Sequence, residues 1–170
     1  PEFAERMRRF RNHGIGTDHR QRIDKGIWHY EMVELGYNYR LSDLQCALGI
    51  SQLTRLREWT ARRQQLAARY DQAFAGQADI RPLEKLAEAA HAYHLYVVRV
   101  PGRDRVFSLM RDQGIGVNVH YVPVHLHPYY RTRLGTAPGL CPVAEAAYGE
   151  ILSLPIFPSL TEEQLGRVAD

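Results

Sequence analysis

The sequence predicts an α/β protein in which a helical first half runs into a small α/β unit. Three observations carry this reading. From Asp43 a helical pattern of apolar residues (Leu44, Leu48, Leu53, Leu56, Leu66, Tyr70, Phe74) continues to Phe74 and stops before Gly76. The segment HAYHLYVVRV, 91–100, is rich in β-branched and aromatic residues and ends at Pro101-Gly102, as a strand and turn do. Ile115–Tyr121 then alternates strictly, with Ile115, Val117, Val119 and Tyr121 on one face and Gly116, Asn118 and His120 on the other.

Taken in order, residues 2–13 are predicted helical, with Phe3, Met7 and Phe10 at helical spacing and Gly14 as the stop. Residues 15–35 are predicted irregular. Ser42 followed by Gln45 forms a capping box, and Leu41 and Cys46 stand where a hydrophobic staple would pair them, so a helix starts at Asp43. Unbroken to Phe74 it would span about 48 Å. A shift of its apolar face predicts a break near Arg55–Glu58. Arg103–Gln113 is predicted as a short helix between two strands, and a parallel pair would need a right-handed crossover. Pro142 opens a further helix, as proline does at a first helical position. LSLPIFP is extended, and Thr161 with Gln164 is a second capping box opening a last helix.

Composition removes several function classes. No apolar run approaches the roughly 20 residues that cross a bilayer, so no membrane role is expected. Cys46 and Cys141 form no CxxC pair; neither a disulfide framework nor a metal cluster is indicated, and a cytoplasmic setting is expected. The net charge is +3, but residues 1–70 carry 13 Lys and Arg against 8 Asp and Glu, and the remainder 9 against 11. That asymmetry suits an anionic small molecule or nucleic acid. The basic run Arg6, Arg8, Arg9, Arg11 wraps more than one helix face and offers no recognised nucleic-acid motif. HGIGTD and QGIGVN each hold Gly-x-Gly, yet neither continues as a dinucleotide fingerprint. The chain starts without Met in what reads as the middle of a helix, and is expected to be a piece of something longer.

Two stretches carry candidate chemistry. The loop Gly36-Tyr37-Asn38-Tyr39-Arg40 precedes a capped helix. A helix N-terminus favours anions, Asn38 can donate through its amide, and Arg40 presents a planar fork suited to phosphate or carboxylate. The competing reading has Asn38 making a turn, the tyrosines packing and Arg40 pairing with Glu34. Residues alone leave the two even. The second stretch holds His120, His125 and His127 within eight residues. No carboxylate or thiol completes a metal set there, so the choice lies between packing histidines and a polar site wall, the latter favoured by Asn118 and His120 sharing a face.

GYNYRLSDLQCALGISQL followed by L-x-x-x-x-x-RRQQLAARY resembles the signature of the DegT/StrS sugar-nucleotide aminotransferases, which are fold type I pyridoxal-phosphate enzymes. RMRRFRNHGI, GIGVNVHYVPVHLHPYYR and CPVAEAAYGEILSLPIFPSLTEEQ are similar to the same family, in order, over nearly the whole chain. Within it, the VHYVPVHLHPYYR and CPVAE stretches look most like the transaminases of pseudaminic acid biosynthesis, which aminate C4 of a UDP-linked 4-keto-6-deoxy sugar.

The resemblance implies the C-terminal part of a fold type I transferase. Residues 1–75 would be the end of the large cofactor domain with a long connecting interface helix, and 76–170 the small C-terminal α/β domain. It implies a homodimer with sites shared across the interface, pyridoxal 5'-phosphate as cofactor, and L-glutamate and a UDP-sugar as substrates, without nucleic acid. Asn38 and Arg40 would bind the cofactor phosphate or the donor carboxylate. His120 and Tyr121 would line the sugar-nucleotide pocket, with Tyr37, His127, His125 and Tyr129 as further candidates. The family's cofactor-bonded lysine lies upstream of the RMRRFRNHG segment. Lys25 and Lys85, the only lysines, stand in no such context, so the chain alone is expected to be inactive. Two alternatives stay open: a dehydratase of the same family, and a non-catalytic dimerisation or nucleic-acid-binding module.

Overall fold

A computed structural model of the chain describes residues 2–17, 19–86 and 88–170. Asp18, the last residue of HGIGTD, lies outside the described residues. The chain forms two compact units, Pro1–Thr54 and Arg55–Asp170.

The first unit contains helices α1 (Glu2–Phe10), α2 (His19–Lys25) and α3 (Asp43–Leu53). Helix α2 falls in the stretch predicted to be irregular; HRQRIDK has one apolar residue, Ile23, and so no periodicity to reveal it. Two antiparallel bridges, Asn12↔Asn38 and Ile15↔Met32, tie the segment after α1 to the segment before α3. The chains cross there at backbone distance. A Cβ added to Gly14, at φ +67°, would fall 1.7 Å from the Glu34 carbonyl oxygen, and one on Gly36 would fall 2.1 Å from the Gly14 nitrogen. Both positions therefore require glycine. Helix α3 is capped as predicted: Ser42 N donates to Gln45 Oε1 at 2.8 Å, and Gln45 N to Ser42 Oγ at 3.4 Å. Leu41 and Cys46 both remain exposed. No residue of α3 is buried; Leu44, Leu48 and Leu53 face outward.

The helical pattern is interrupted at Thr54–Arg55, between α3 and α4 (Leu56–Ala73). Thr54 Oγ1 donates to the Ser51 carbonyl at 2.7 Å, a local bond that competes with the helical ladder.

The second unit is built on a sheet of β1 (Arg81–Pro82), β2 (Tyr96–Arg99) and β3 (Ile151–Leu154), in the order β1-β2-β3 with every pair antiparallel. Around it stand α4, α5 (Arg103–Asp112), a 3-10 turn (Val124–Leu126), α6 (Pro128–Leu134), α7 (Pro142–Glu150) and α8 (Glu162–Ala169). The predicted strand 115–121 is not a regular strand. It makes one antiparallel bridge, Asn118↔Ser153, on the edge of β3 away from β2. It therefore runs parallel to β2 with β3 between them. The interposed strand explains why the β2–α5 crossover yields no parallel pair.

Register places Tyr96 opposite Leu154 and Val98 opposite Leu152. One sheet face thus joins Ile115, Val117 and the α4 stripe Leu66, Ala67, Tyr70 and Phe74 in a single core closed by Leu160 and Leu165. Tyr70 is fully buried, stacks on Tyr96 at 4.8 Å and on Phe74 at 5.8 Å, and donates its hydroxyl to the Pro155 carbonyl at 2.9 Å. Arg63 Nη1 donates to the carbonyls of Tyr93 at 2.9 Å and Ile156 at 2.8 Å, pinning α4 to both flanks of the sheet. Arg62 and Arg69 hold Glu162 at 3.3 and 3.1 Å, fixing the start of α8.

Candidate functional site

In the first unit the Gly36–Arg40 loop lies along the end of α1. Tyr37 N donates to the Phe10 carbonyl at 2.7 Å, His13 N to the Tyr37 carbonyl at 3.0 Å, and Tyr39 N to the Arg11 carbonyl at 2.9 Å. The rings of Tyr37 and Tyr39 stack at 5.2 Å, and Phe10 meets both edge-on at 5.3 and 6.0 Å. Packing tyrosines are thus part of the loop, as the competing reading held. The Arg40–Glu34 pair of that reading does not form. Glu34 instead sits 3.5 Å from Arg9 Nε, and Arg40 Nη1 donates to Asn12 Oδ1 at 2.6 Å.

Asn12 carried no sequence signal, because 28 residues separate it from Arg40. It leaves most of the five guanidinium donors free while fixing the direction of the fork. The Asn38 side chain is exposed and has no hydrogen-bond partner among the described residues, so both its amide protons are available. Two side-chain donors, one of them cationic, at the entry to a capped helix form a set chemically suited to a phosphate or a carboxylate. Beside the loop an open groove of 500 Å³ runs between Met7 and Tyr39, with Arg6 and Arg11 on its wall. Lys25, at the end of α2, is exposed.

In the second unit the Asn118↔Ser153 bridge turns Asn118, His120 and Ser153 to the sheet face opposite the core. His120 Nδ1 stands 2.8 Å from Ser153 Oγ, and His120 Nε2 stands 3.3 Å from Asn118 Nδ2. Asn118 Oδ1 accepts the Val119 N–H at 2.8 Å. Tyr121 meets the His120 ring edge-on at 4.7 Å. Alternation predicted Tyr121 on the Val117 face, but the chain leaves the sheet there and Tyr121 is 72% exposed. Ser153 has a readable signal in the sequence: it is a lone polar residue in an apolar strand, and it is buried at 5% exposure.

The remaining histidines separate. His125 points inward: its Nε2 is 2.8 Å from Glu145 Oε1, and its carbonyl accepts from Thr136 Oγ1 at 2.7 Å. Glu145 also accepts the Gly139 N–H at 2.8 Å and the Cys141 N–H at 3.2 Å. Those contacts, Gly139 first and then His125, hold its carboxyl below the ordinary range. His125 is thus a structural tie between the 3-10 turn and α7. His127 and Tyr129 are exposed at the start of α6. Among the described residues no cluster of three or more His, Cys, Asp or Glu is placed to hold a metal, and no helix is long and apolar enough to cross a membrane.

A groove of 670 Å³ in the same unit involves none of these residues. It holds Lys85, 2.7 Å from the Tyr93 hydroxyl, and Asp71, which accepts from the Tyr96 hydroxyl at 2.7 Å. The hydrogen bond that Lys85 donates to Tyr93 raises the Lys85 ammonium, and burial followed by the Asp71 contact raises the Tyr96 phenol. An ammonium held charged is a poor nucleophile.

Residues 1–170 match the family model described as the DegT/DnrJ/EryC1/StrS aminotransferase family. An uncharacterised protein of Methanocaldococcus jannaschii is 36% identical over 172 residues, covering 96% of this chain and 44% of the relative. Among solved structures, S. venezuelae DesV aligns with a TM-score of 0.83 at 33% identity, covering 100% of this chain and 43% of its own. Helicobacter pylori PseC, an aminotransferase involved in the biosynthesis of pseudaminic acid, aligns with a TM-score of 0.81 at 28% identity, covering 99% and 44%. A Streptococcus pneumoniae sugar aminotransferase in its PLP form aligns with a TM-score of 0.81 at 29% identity, covering 99% and 42%. The chain spans less than half the length of each of these relatives.

Proposed function

Since the chain belongs to the DegT/DnrJ/EryC1/StrS aminotransferase family, we propose that it acts as the C-terminal part of a pyridoxal-phosphate-dependent sugar-nucleotide aminotransferase. The whole enzyme would move an amino group from L-glutamate to C4 of a UDP-linked 4-keto-6-deoxy sugar. Likeness to PseC supports a substrate of the pseudaminic acid type. In this reading the first unit, through Thr54, closes the large domain, the second, with α4 packed into its core, forms the small one, and the protein works in the cytoplasm as a homodimer. The exposed apolar surface of α3 and of Phe3 and Met7 supports association.

The observation that carries the reading is the Arg40 fork, anchored on Asn12 beside the free amide of Asn38. Those two side chains fit the cofactor's phosphate or the donor's carboxylate, offering bidentate, charge-assisted hydrogen bonds. When bound, the cofactor would supply the electron sink that lets the proton leave the amine-bearing carbon of the donor so that its amino group can be passed on. This chain's residues bind and orient. Asn38 and Arg40 hold the anion, while Tyr37 braces their loop against Phe10. His120, Tyr121 and His127 border the sugar nucleotide. Neither Lys25 nor Lys85 bonds to the cofactor, so the chain on its own would not turn over.

Titrating the full-length protein with pyridoxal 5'-phosphate tests this. Asn38→Ala and Arg40→Ala are each expected to weaken binding about tenfold, the equivalent of ~1.4 kcal/mol. Unchanged affinity in both would remove the phosphate role. Borohydride treatment of this chain with the cofactor should label no lysine, and a labelled Lys25 or Lys85 would overturn the inactivity.

A further inference from the structure

We propose that Ser153 and Asn118 are positioning residues that hold the His120 imidazole in a single tautomer, with its proton on Nδ1. Three contacts lead there. Asn118 Oδ1 accepts the Val119 N–H at 2.8 Å, which fixes the direction of the amide, since a flipped amide would set two donors face to face. Asn118 Nδ2 can then only donate, so His120 Nε2, 3.3 Å away, must present its lone pair. The ring proton is left on Nδ1, where Ser153 Oγ accepts it at 2.8 Å. Ser153 is itself held by the paired backbone bonds of the bridge: Asn118 N donates to the Ser153 carbonyl at 3.2 Å and Ser153 N to the Asn118 carbonyl at 2.8 Å. It is buried, so its hydroxyl stays where the strand puts it.

The consequence is a division of labour at this edge. With both nitrogens engaged, His120 is held as a fixed support for its neighbours. The polar groups left to meet a ligand are the second N–H of Asn118 and the Tyr121 phenol, which has no hydrogen-bond partner among the described residues and stands edge-on to His120 at 4.7 Å. Both suit the hydroxyl, carbonyl or phosphoryl oxygens of a sugar nucleotide. That last identification rests on the function proposed above; the tautomer does not.

The test labels the histidine rings of the intact protein with nitrogen-15 and reads each nitrogen's protonation in two-bond proton–nitrogen spectra at mildly alkaline pH. The His120→Asn variant assigns the signals. Wild type is expected to show a protonated Nδ1 and an unprotonated Nε2. Ser153→Ala should shift population toward the Nε2–H form. Asn118→Asp, at an exposed position that does not threaten folding, replaces the donor with an acceptor and should bring a proton onto Nε2. An Nε2–H or averaged signal in wild type, or an unmoved tautomer in Asn118→Asp, overturns the proposal. UDP-sugar KM in Tyr121→Phe and His120→Asn separates the two claims. If the spectra behave as expected and neither KM rises, the tautomer stands and the pocket assignment falls.

Discussion

Gly36 lies against Gly14 so closely that a Cβ on it would stand 2.1 Å from the Gly14 nitrogen and 2.7 Å from the Phe10 carbonyl oxygen. The obstacles are backbone, which cannot move aside without parting the Asn12↔Asn38 bridge. Gly36→Ala is therefore expected to lose the bridge and cost more than ~1 kcal/mol. Gly49, inside α3 with nothing within 4 Å of an added Cβ, is the contrast; Gly49→Ala should stabilise by about 0.5–1 kcal/mol. Hydrogen exchange at the Tyr37 and Tyr39 amides, with thermal unfolding, reads both.

Arg40 depends on Asn12 for its direction. Asn12→Asp converts that neutral acceptor into an ion-pair partner and would neutralise the fork. Pyridoxal-phosphate affinity of the full-length protein should fall about tenfold, whereas Asn12→Ser, keeping a short acceptor, should cost less. Equal affinities in wild type and Asn12→Asp would show that Arg40 does not meet the anion.

Tyr70 and Tyr96 give an alkaline limb to stability. Burial raises both phenols above their ordinary value of 10.0, so the native state keeps protons that the unfolded chain releases. Their stabilisation is complete below about pH 10 and declines as pH rises beyond it. Urea unfolding at successive alkaline pH values should show that decline, and Tyr70→Phe should flatten it. The same variant should lose about 1 kcal/mol at neutral pH, because the Pro155 carbonyl is left unpaired.

Glu145 gives an acidic limb. Its carboxyl lies below the ordinary range because it accepts the Gly139 N–H and meets His125. The native state thus favours the carboxylate, and this stabilisation is present above about pH 4.3 and lost as pH falls below it. Glu145→Gln should remove that limb and loosen residues 135–141, read as faster exchange of the Gly139 and Cys141 amides.

Both capping boxes, the α4 stripe and the alternation through Val119 were legible in the sequence because each is a local pattern, set by helix or strand period over a few residues. The family signature was legible for the same reason, and so was the choice of Asn38, Arg40 and His120 as candidates. What the chain does with them required tertiary structure. Asn12 reaches Arg40 across 28 residues and Ser153 reaches His120 across 33. No local period encodes such pairings; they arise where Gly14 and Gly36 let two backbones cross and where β3 intervenes between β2 and Asn118. The same physics turned His125 inward to Glu145, while neighbouring His127 stayed at the surface. In sequence the two histidines look alike; the half-buried Glu145 carboxylate supplied by α7 is what separates them.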